Sequence, residues 1–234
     1  MSPVRSIDLG SSFLPELDGV CEVLLVRHGE QAFVTNMPLV EAVDAPLTEL
    51  GRRQAEAVGR RLAASEIDAV YSSTLVRARD TARAVAGHHG LDITEVEALG
   101  EIHLWRDLPQ EQGLVDAVGE DELRRILRDG NRTRRWDAYP HAEPRDEFRA
   151  RIVAAIDQIM AAHVGQRVVV GCHGGVINGY IAQVMASELD TPCTIHHTSI
   201  TTVRGMGDLR RVVQVNDHEH VRPFQTEINP LNAA

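Results

Sequence analysis

Two histidines in this chain stand at the same kind of place. His28, in Arg27-His28-Gly29-Glu30, directly follows the apolar run Val23-Leu24-Leu25-Val26. His173, in Cys172-His173-Gly174-Gly175, follows the run that begins Val168-Val169-Val170. Such runs read as strands buried on both faces. Parallel α/β sheets bind ligands beyond the carboxyl ends of their strands. Both imidazoles are therefore delivered where a site is expected. One histidine after a strand reads as structural; two, each followed by glycine, point to function. Gly29 is read as letting a ligand approach the backbone. Gly174 and Gly175 are read as exposing N–H groups at a helix start, which favours an anion.

Two further residues join them. Arg77 falls in the first turn of the helix predicted after Ser72-Ser73-Thr74-Leu75. A cation there opposes the helix dipole, so it breaks a local rule, as functional residues do. Glu101, in Leu99-Gly100-Glu101-Ile102, reads by itself as a surface carboxylate. Together these types suit phosphoryl transfer. A neutral imidazole attacks phosphorus, and arginines hold the phosphate oxygens bidentately. A carboxylic acid protonates the leaving oxygen and then deprotonates water. A second, cationic histidine stabilises the transition-state oxygens. Clustered positive charge keeps the attacking imidazole neutral.

The elements that must position these residues alternate. Strands are predicted near Val23–Val26, Ile67–Tyr71, Val168–Val170, Thr201–Val203 and Val212–Val215, with a short apolar segment at Ile93–Val96. Between them, Leu50, Gly51, Ala55, Val58 and Leu62 share one helical face, with Thr48 placed to cap it. Further stripes run through Leu75 to Ala86, Phe148 to Met160 and Val176 to Met185. This alternation predicts an α/β sandwich with a mostly parallel sheet. Residues 105–145 break the rhythm and carry Arg124, Arg125, Arg128, Arg132, Arg134 and Arg135. The segment is too long for a simple connection. It reads either as an inserted cap over one end of the sheet or as a solvated arginine-rich helix. If it is a cap, its arginines could bind a second anion or a subunit partner.

Bulk properties narrow the classes. The 234 residues carry a formal net charge of −10, which argues against nucleic acid or an anionic membrane as main partner. Cys21, Cys172 and Cys193 make an odd, sparse set, as expected in a reducing compartment. Cys172 reads as a small core residue. No run approaches the ~20 apolar residues of a membrane span. Residues 1–20 read as a poorly ordered leader without a signal peptide's apolar stretch, and residues 21–234 as one domain. A cytoplasmic location is expected, and a homodimer stays open. The paired histidines His88-His89, His196-His197 and His218-x-His220 lack metal-ligand spacing and read as loop residues.

At this point the residues resemble the histidine phosphatase superfamily, the phosphoglycerate-mutase-like family. Val26-Arg27-His28-Gly29-Glu30 is similar to its signature. The blocks Asp44 to Gly51 with Gln54-Ala55, Tyr71 to Ala82, Val170 to Gly175, and Asn216-Asp217 with His220 follow in the family's order. The resemblance implies a three-layer α/β/α sandwich and no metal or organic cofactor. It makes His28 the phosphohistidine-forming nucleophile, Arg27 and Arg77 phosphate clamps, His173 a further pocket member, and Glu101 the proton donor. Gln31, Gly174 and His197 are candidate substrate-binding positions. The family's Asn six residues after the nucleophile is Val34 here. Either that phosphate contact is lost, or Gln31 or Asn36 supplies it. His197 either lines the pocket or ends a loop. Glu101 is followed by Ile102-His103-Leu104-Trp105, unlike the Arg-His-Tyr-Gly run of the mutases. The expectation is a metal-independent phosphomonoesterase of histidine acid phosphatase type, acting on a small phosphorylated metabolite. The alternatives are a phosphoglycerate mutase and, less favoured, a non-catalytic phosphate-binding module.

Overall fold

The computed structural model describes residues 19–33 and 36–227. The leader expected at residues 1–20 lies, except for Gly19 and Val20, outside the described residues, as does Val34.

Six strands form one sheet: β1 (Cys21–Arg27), β2 (Ala69–Ser72), β3 (Ile93–Glu95), β4 (Arg167–Cys172), β5 (Ile200–Met206) and β6 (Leu209–Asp217). Their spatial order is β3-β2-β4-β1-β5-β6. The pairs β1/β4, β2/β4 and β2/β3 are parallel, whereas β5 runs against both β1 and β6. The sheet is therefore mostly parallel, as the alternation predicts.

Alternating side chains of the central strands feed two cores. Leu24, Val26 and Val169 pack with Val58 and Leu62 of α2 (Glu49–Leu62) and with Ala82, Val85 and Ala86 of α3 (Val76–His89). Val23, Leu25, Val168 and Val170 face the other way. They meet Phe148, Ile152 and Ile156 of α6 (Arg145–Ala162) and Ile177 and Ile181 of α7 (Gly174–Val184). A strand buried on both faces can be apolar at every position, and this is why its sequence reads as an unbroken run. The result is the three-layer α/β/α sandwich.

Thr48 caps α2 as expected, accepting the Gly51 N–H at 2.9 Å. His88 and His89 close α3 rather than sitting in a loop. The expected loop is a correction: Gly90, at φ 64°, takes the left-handed turn that ends the helix one residue later.

The segment 105–145 contains α4 (Leu114–Val118) and α5 (Glu120–Thr133). With α1 (Leu39–Val43), it builds a small third core of Leu39, Leu114 and Leu123, flanked by Trp105, Leu108 and Val118. Each of the two readings of this segment captures one face of it. The apolar side of α5 packs inward as a cap. Its arginines face solvent beside their own acids: Arg124 with Glu120, Arg125 with Glu122 at 2.5 Å, and Arg132 with Asp129 at 3.8 Å. Asp190, 1% exposed, ties down the cap's end. It accepts from the Trp136 N–H at 3.0 Å, Arg145 at 2.6 Å and Arg149 at 2.9 Å.

Candidate functional site

Register brings the two histidines together. Arg27 of β1 lies opposite Cys172 of β4, so His28 and His173 are the first residues beyond two neighbouring strand ends. Their ring centroids are 5.1 Å apart, with the rings tilted by 57°. Both are buried. Nδ1 of His28 lies 2.7 Å from the Gly29 carbonyl oxygen. A carbonyl can only accept, so Nδ1 carries the proton and Nε2 keeps its lone pair. Burial, first, then His173, Arg27, Arg77 and His197 hold the His28 pKa well below the usual 6.5. The ring is neutral at pH 7, as a nucleophile must be.

His173 is neutral as well. Burial leads the causes, followed by Arg77 and Arg27, and its pKa also falls well below 6.5. In so buried a place, beside two guanidinium groups, the charged form that the sequence reading expects is disfavoured while no anion occupies the site. Its Nε2 lies 3.0 Å from Ser73 Oγ, and its buried Nδ1 has no partner.

The arginines are held from behind and open in front. Arg27 Nη1 donates to the Ile195 carbonyl at 2.5 Å, and Arg77 Nη1 to the Val43 carbonyl at 2.8 Å. The Nε of each is buried without a partner. Buried donors of this kind are costly unless something accepts from them. The position of Arg77 against the helix dipole is compensated locally. Asp44 accepts the Val76 N–H at 2.7 Å at the start of α3, and it supports the charge of Arg77.

Glu101 is half-buried rather than a surface carboxylate. Its Oε2 accepts the Gly175 N–H at 3.0 Å, and its Oε1 accepts the Ile102 N–H at 3.0 Å. The expected anion at the start of α7 is therefore the protein's own carboxylate. A Cβ at position 175 would overlap Glu101 Oε1, so glycine there admits the carboxylate. Arg151 fixes the same segment from below. It donates to the carbonyls of Ala98 and Gly100, each at 2.8 Å, and pairs with Glu143.

Gly29 has a different purpose from the one read in the sequence. A Cβ there would overlap the Gly51 carbonyl oxygen, so the glycine lets the loop that carries His28 press onto α2 and not onto a ligand. This explains the block from Asp44 to Gly51. The Thr48 N–H donates to the Glu30 carbonyl at 2.9 Å, and the Glu30 N–H to Gln54 Oε1 at 2.9 Å. The block clamps the loop that carries His28.

The remaining candidates divide. His197 lines the site, its centroid 5.7 Å from that of His28, and burial with Arg27 and His196 pushes its pKa down to about 3. Gly174 lies beside Arg27; a Cβ there would meet Nε at 3.5 Å. Gln31 pairs with Leu47 in an isolated bridge and faces an adjoining cavity. Asn36 does not replace the missing Asn. Its side chain donates to Asp116 at 2.9 Å and accepts the Val115 N–H at 3.2 Å, which ties it to the cap.

Ser73, Thr81, Arg151 and Thr198 have roles in the site that the sequence reading does not assign them. Thr81 accepts the Gly29 N–H at 3.0 Å and donates to the Arg77 carbonyl at 2.8 Å, linking the His28 loop to the helix of Arg77. The Thr198 N–H donates to the Arg27 carbonyl at 3.0 Å. For Thr81 a signal existed: it lies four residues after Arg77, one helical turn along the same face.

A cavity of about 610 Å³ adjoins this cluster and shares Arg77 and Glu101 with it. Among the described residues, no three His, Cys, Asp or Glu side chains converge as a metal-ligating group.

Comparisons with known proteins follow the same line. The sequence model of a family described as "Histidine phosphatase superfamily (branch 1)" matches residues 23–218. The chain is 32% identical over 198 residues to phosphoglycerate mutase-like protein 4 of Arabidopsis thaliana, covering 83% of this chain and 84% of that one. It is 34% identical over 173 residues to the metal-independent phosphoserine phosphatase of the same plant, covering 72% and 71%. Among solved structures, Bacillus stearothermophilus YhfR superposes with a TM-score of 0.71 at 29% identity, covering 86% of this chain and 100% of that one.

Proposed function

The chain belongs to the histidine phosphatase superfamily, and from that premise we propose that it hydrolyses phosphomonoesters through a phospho-His28 intermediate, without a metal. One observation carries the reading. The His28 tautomer leaves Nε2 free, and three buried nitrogens of the same cluster lack protein partners: Arg27 Nε, Arg77 Nε and His173 Nδ1. A tetrahedral phosphate accepts from both guanidinium groups, and from His173 in the tautomer protonated at Nδ1.

The steps follow from the side chains. Nε2 attacks phosphorus as the ester oxygen departs. Glu101 acts as the acid: its carboxyl gives a proton to the leaving oxygen, and the alcohol is released. Glu101, now a carboxylate, takes a proton from water, whose oxygen attacks phosphorus. The N–P bond breaks, phosphate leaves, and Glu101 is protonated again. Ser73 supports the tautomer of His173 that this scheme needs. If its hydroxyl donates to Nε2, then Nδ1 carries the proton and points at a phosphate oxygen.

The relatives include proteins named for mutases as well as phosphatases. A mutase must hold the released monophosphate beside the phosphohistidine. The adjoining cavity offers mostly apolar walls for this, which favours hydrolysis. The three cysteines are free thiols, in keeping with a reducing cytoplasmic setting.

The test is phosphate release from a panel of phosphomonoesters in chelator, with His28→Ala alongside. Wild type is expected to release phosphate, and His28→Ala to lose about 10³-fold or more in kcat while its circular dichroism is kept. Retained turnover in His28→Ala would sink the nucleophile. Activity that vanishes in chelator would sink the metal-free chemistry. Turnover only as a 2,3-bisphosphoglycerate-dependent isomerisation would establish the mutase.

A further inference from the structure

The cavity next to the phosphate cluster shares Arg77 and Glu101 with it but is otherwise walled mostly by apolar side chains. A group bonded to a phosphate held by the cluster therefore has this cavity to enter. Helix α1 lines it with Leu39, Val40 and Val43, and the cap lines it with Trp105, Leu114 and Leu123. These side chains meet across the opening because α1 and α4 share the third core.

Exposure marks the same place. Among the described residues, eight large hydrophobic side chains are exposed. Four of them, Phe33, Val40, Val43 and Leu127, line this one cavity. Apolar side chains left open to water singly need no explanation. A concentrated group beside a polar site marks a binding surface. The polar residues at the rim are few. His103 and Arg106 are exposed to solvent, and Arg106 Nε donates to its neighbour Asp107 at 3.3 Å. Gln110 spends its amide on the carbonyls of Trp105 and Leu108. The six arginines from Arg124 to Arg135 do not line the cavity at all.

We infer that the leaving group is apolar: the substrate is the phosphate monoester of an alkyl or aryl alcohol whose body lies between α1 and the cap. This rests on the phosphatase reading above. The phosphate cluster takes the charged end, and the cavity takes the carbon skeleton. Its volume is in the range of small-ligand pockets, which run to about 300–1,000 Å³. Binding energy from a remote apolar body acts on substrate and transition state alike, so it lowers KM more than it raises kcat.

The experiment measures phosphate release from ethyl, butyl and hexyl phosphate, with phosphoserine as the polar comparison. Wild type is expected to show KM falling by about three- to fourfold per methylene, because each buried methylene adds a constant increment. The ratio of kcat/KM for hexyl over ethyl phosphate is expected to fall about tenfold in V40N and in L127N. Each ratio is taken within one protein, so a partial loss of folded material cancels. Equal KM values along the series, or phosphoserine preferred over hexyl phosphate, would overturn the inference and leave the phosphatase reading standing. A preference for hexyl phosphate that both variants retain would move the apolar body out of this cavity and overturn it as well. No phosphate released from any ester would overturn both readings together.

Discussion

The two ends of the site are built on opposite principles. At the phosphate end, the polar side chains are buried or half-buried and braced by the backbone. Arg27 and Arg77 donate to main-chain carbonyls, Glu101 accepts from main-chain amides, and His28 is fixed by its own neighbour's carbonyl. At the ester end, the walls are mostly apolar side chains, four of them exposed, on two short helices, one amphipathic one and the loops beside them. The first end is rigid because polar groups in low dielectric must be satisfied one by one. The second is adaptable because apolar contact is non-directional. A family can therefore keep one chemistry and vary what it acts on by rebuilding only the cap. Selectivity belongs to the part of the chain with the least motif.

The sharpest way to break this division is Gly175→Ala. The added methyl overlaps Glu101 Oε1 and pushes the carboxylate off the start of α7. Glu101 then no longer reaches the leaving oxygen, and kcat/KM for an alkyl phosphate, which reports the transfer to His28, is expected to fall about a hundredfold. 4-Nitrophenyl phosphate, whose leaving group departs without a proton, should lose far less. Equal losses for both esters would show that Gly175 matters to folding or phosphate binding and not to the placement of the acid. Folding itself should hold, since alanine is the better helix former.

The converse change acts on the cap. Asp190→Ala leaves Arg145, Arg149 and the Trp136 N–H without their shared acceptor. Losing one partner of a buried ion pair costs about 3–5 kcal/mol. Both arginines here are about a quarter exposed and can rehydrate, so about 2 kcal/mol is expected, read from urea unfolding. The cap's end loosens, so KM for hexyl phosphate should rise more than KM for ethyl phosphate. A uniform rise would mean that the cap's anchorage and the cavity's shape are unrelated.

What the sequence made legible follows the same division. Strands flanked by helices were readable because β1 and β4 are buried on both faces. The residues of the phosphate end were readable because register forces His28 and His173 to adjacent strand ends. Their supports were not. Thr198 reaches Arg27 across more than 170 positions, and Glu101 meets Gly175 across 74; spacing carries no trace of such pairs. Gly29 was read for the wrong partner, since only the fold shows that α2 lies against it. The cap misled by composition. Its arginines dominate the composition, while the face of α5 that lines the cavity is Leu123 and Leu127, four residues apart and set among charges.

Protonation sharpens the contrast by a smaller amount. His197 sits at the phosphate end with a pKa near 3, while the unfolded chain takes up its proton near pH 6.5. Below pH 6.5 the unfolded state holds a proton that the folded state refuses. Stability is therefore full above that pH and falls as pH drops through 6.5 towards 3. His197→Asn should remove this share. Between pH 6.5 and 5.5 the variant should lose about 1 kcal/mol less stability than wild type, measured by urea unfolding at each pH. Parallel pH profiles would show that His197 is protonated in the folded protein.

The smallest expected effect is none, and it bears most directly on how the cap is read. Arg132 and Arg135 pair with Asp129 and Asp137 at the surface, and Arg134 contributes its carbonyl to Asp190 and Thr191 rather than its charge. Neutralising all three as Arg132→Gln, Arg134→Asn and Arg135→Gln keeps those backbone bonds. It removes ion pairs worth about 0–1 kcal/mol each at such exposure. Position 134 is left-handed at φ 55°, which asparagine tolerates. KM should stay within about twofold for ethyl, hexyl and seryl phosphates alike. A rise confined to phosphoserine would mean that the arginines reach a second anion after all, and the ester end would then be read by charge, not by apolar contact.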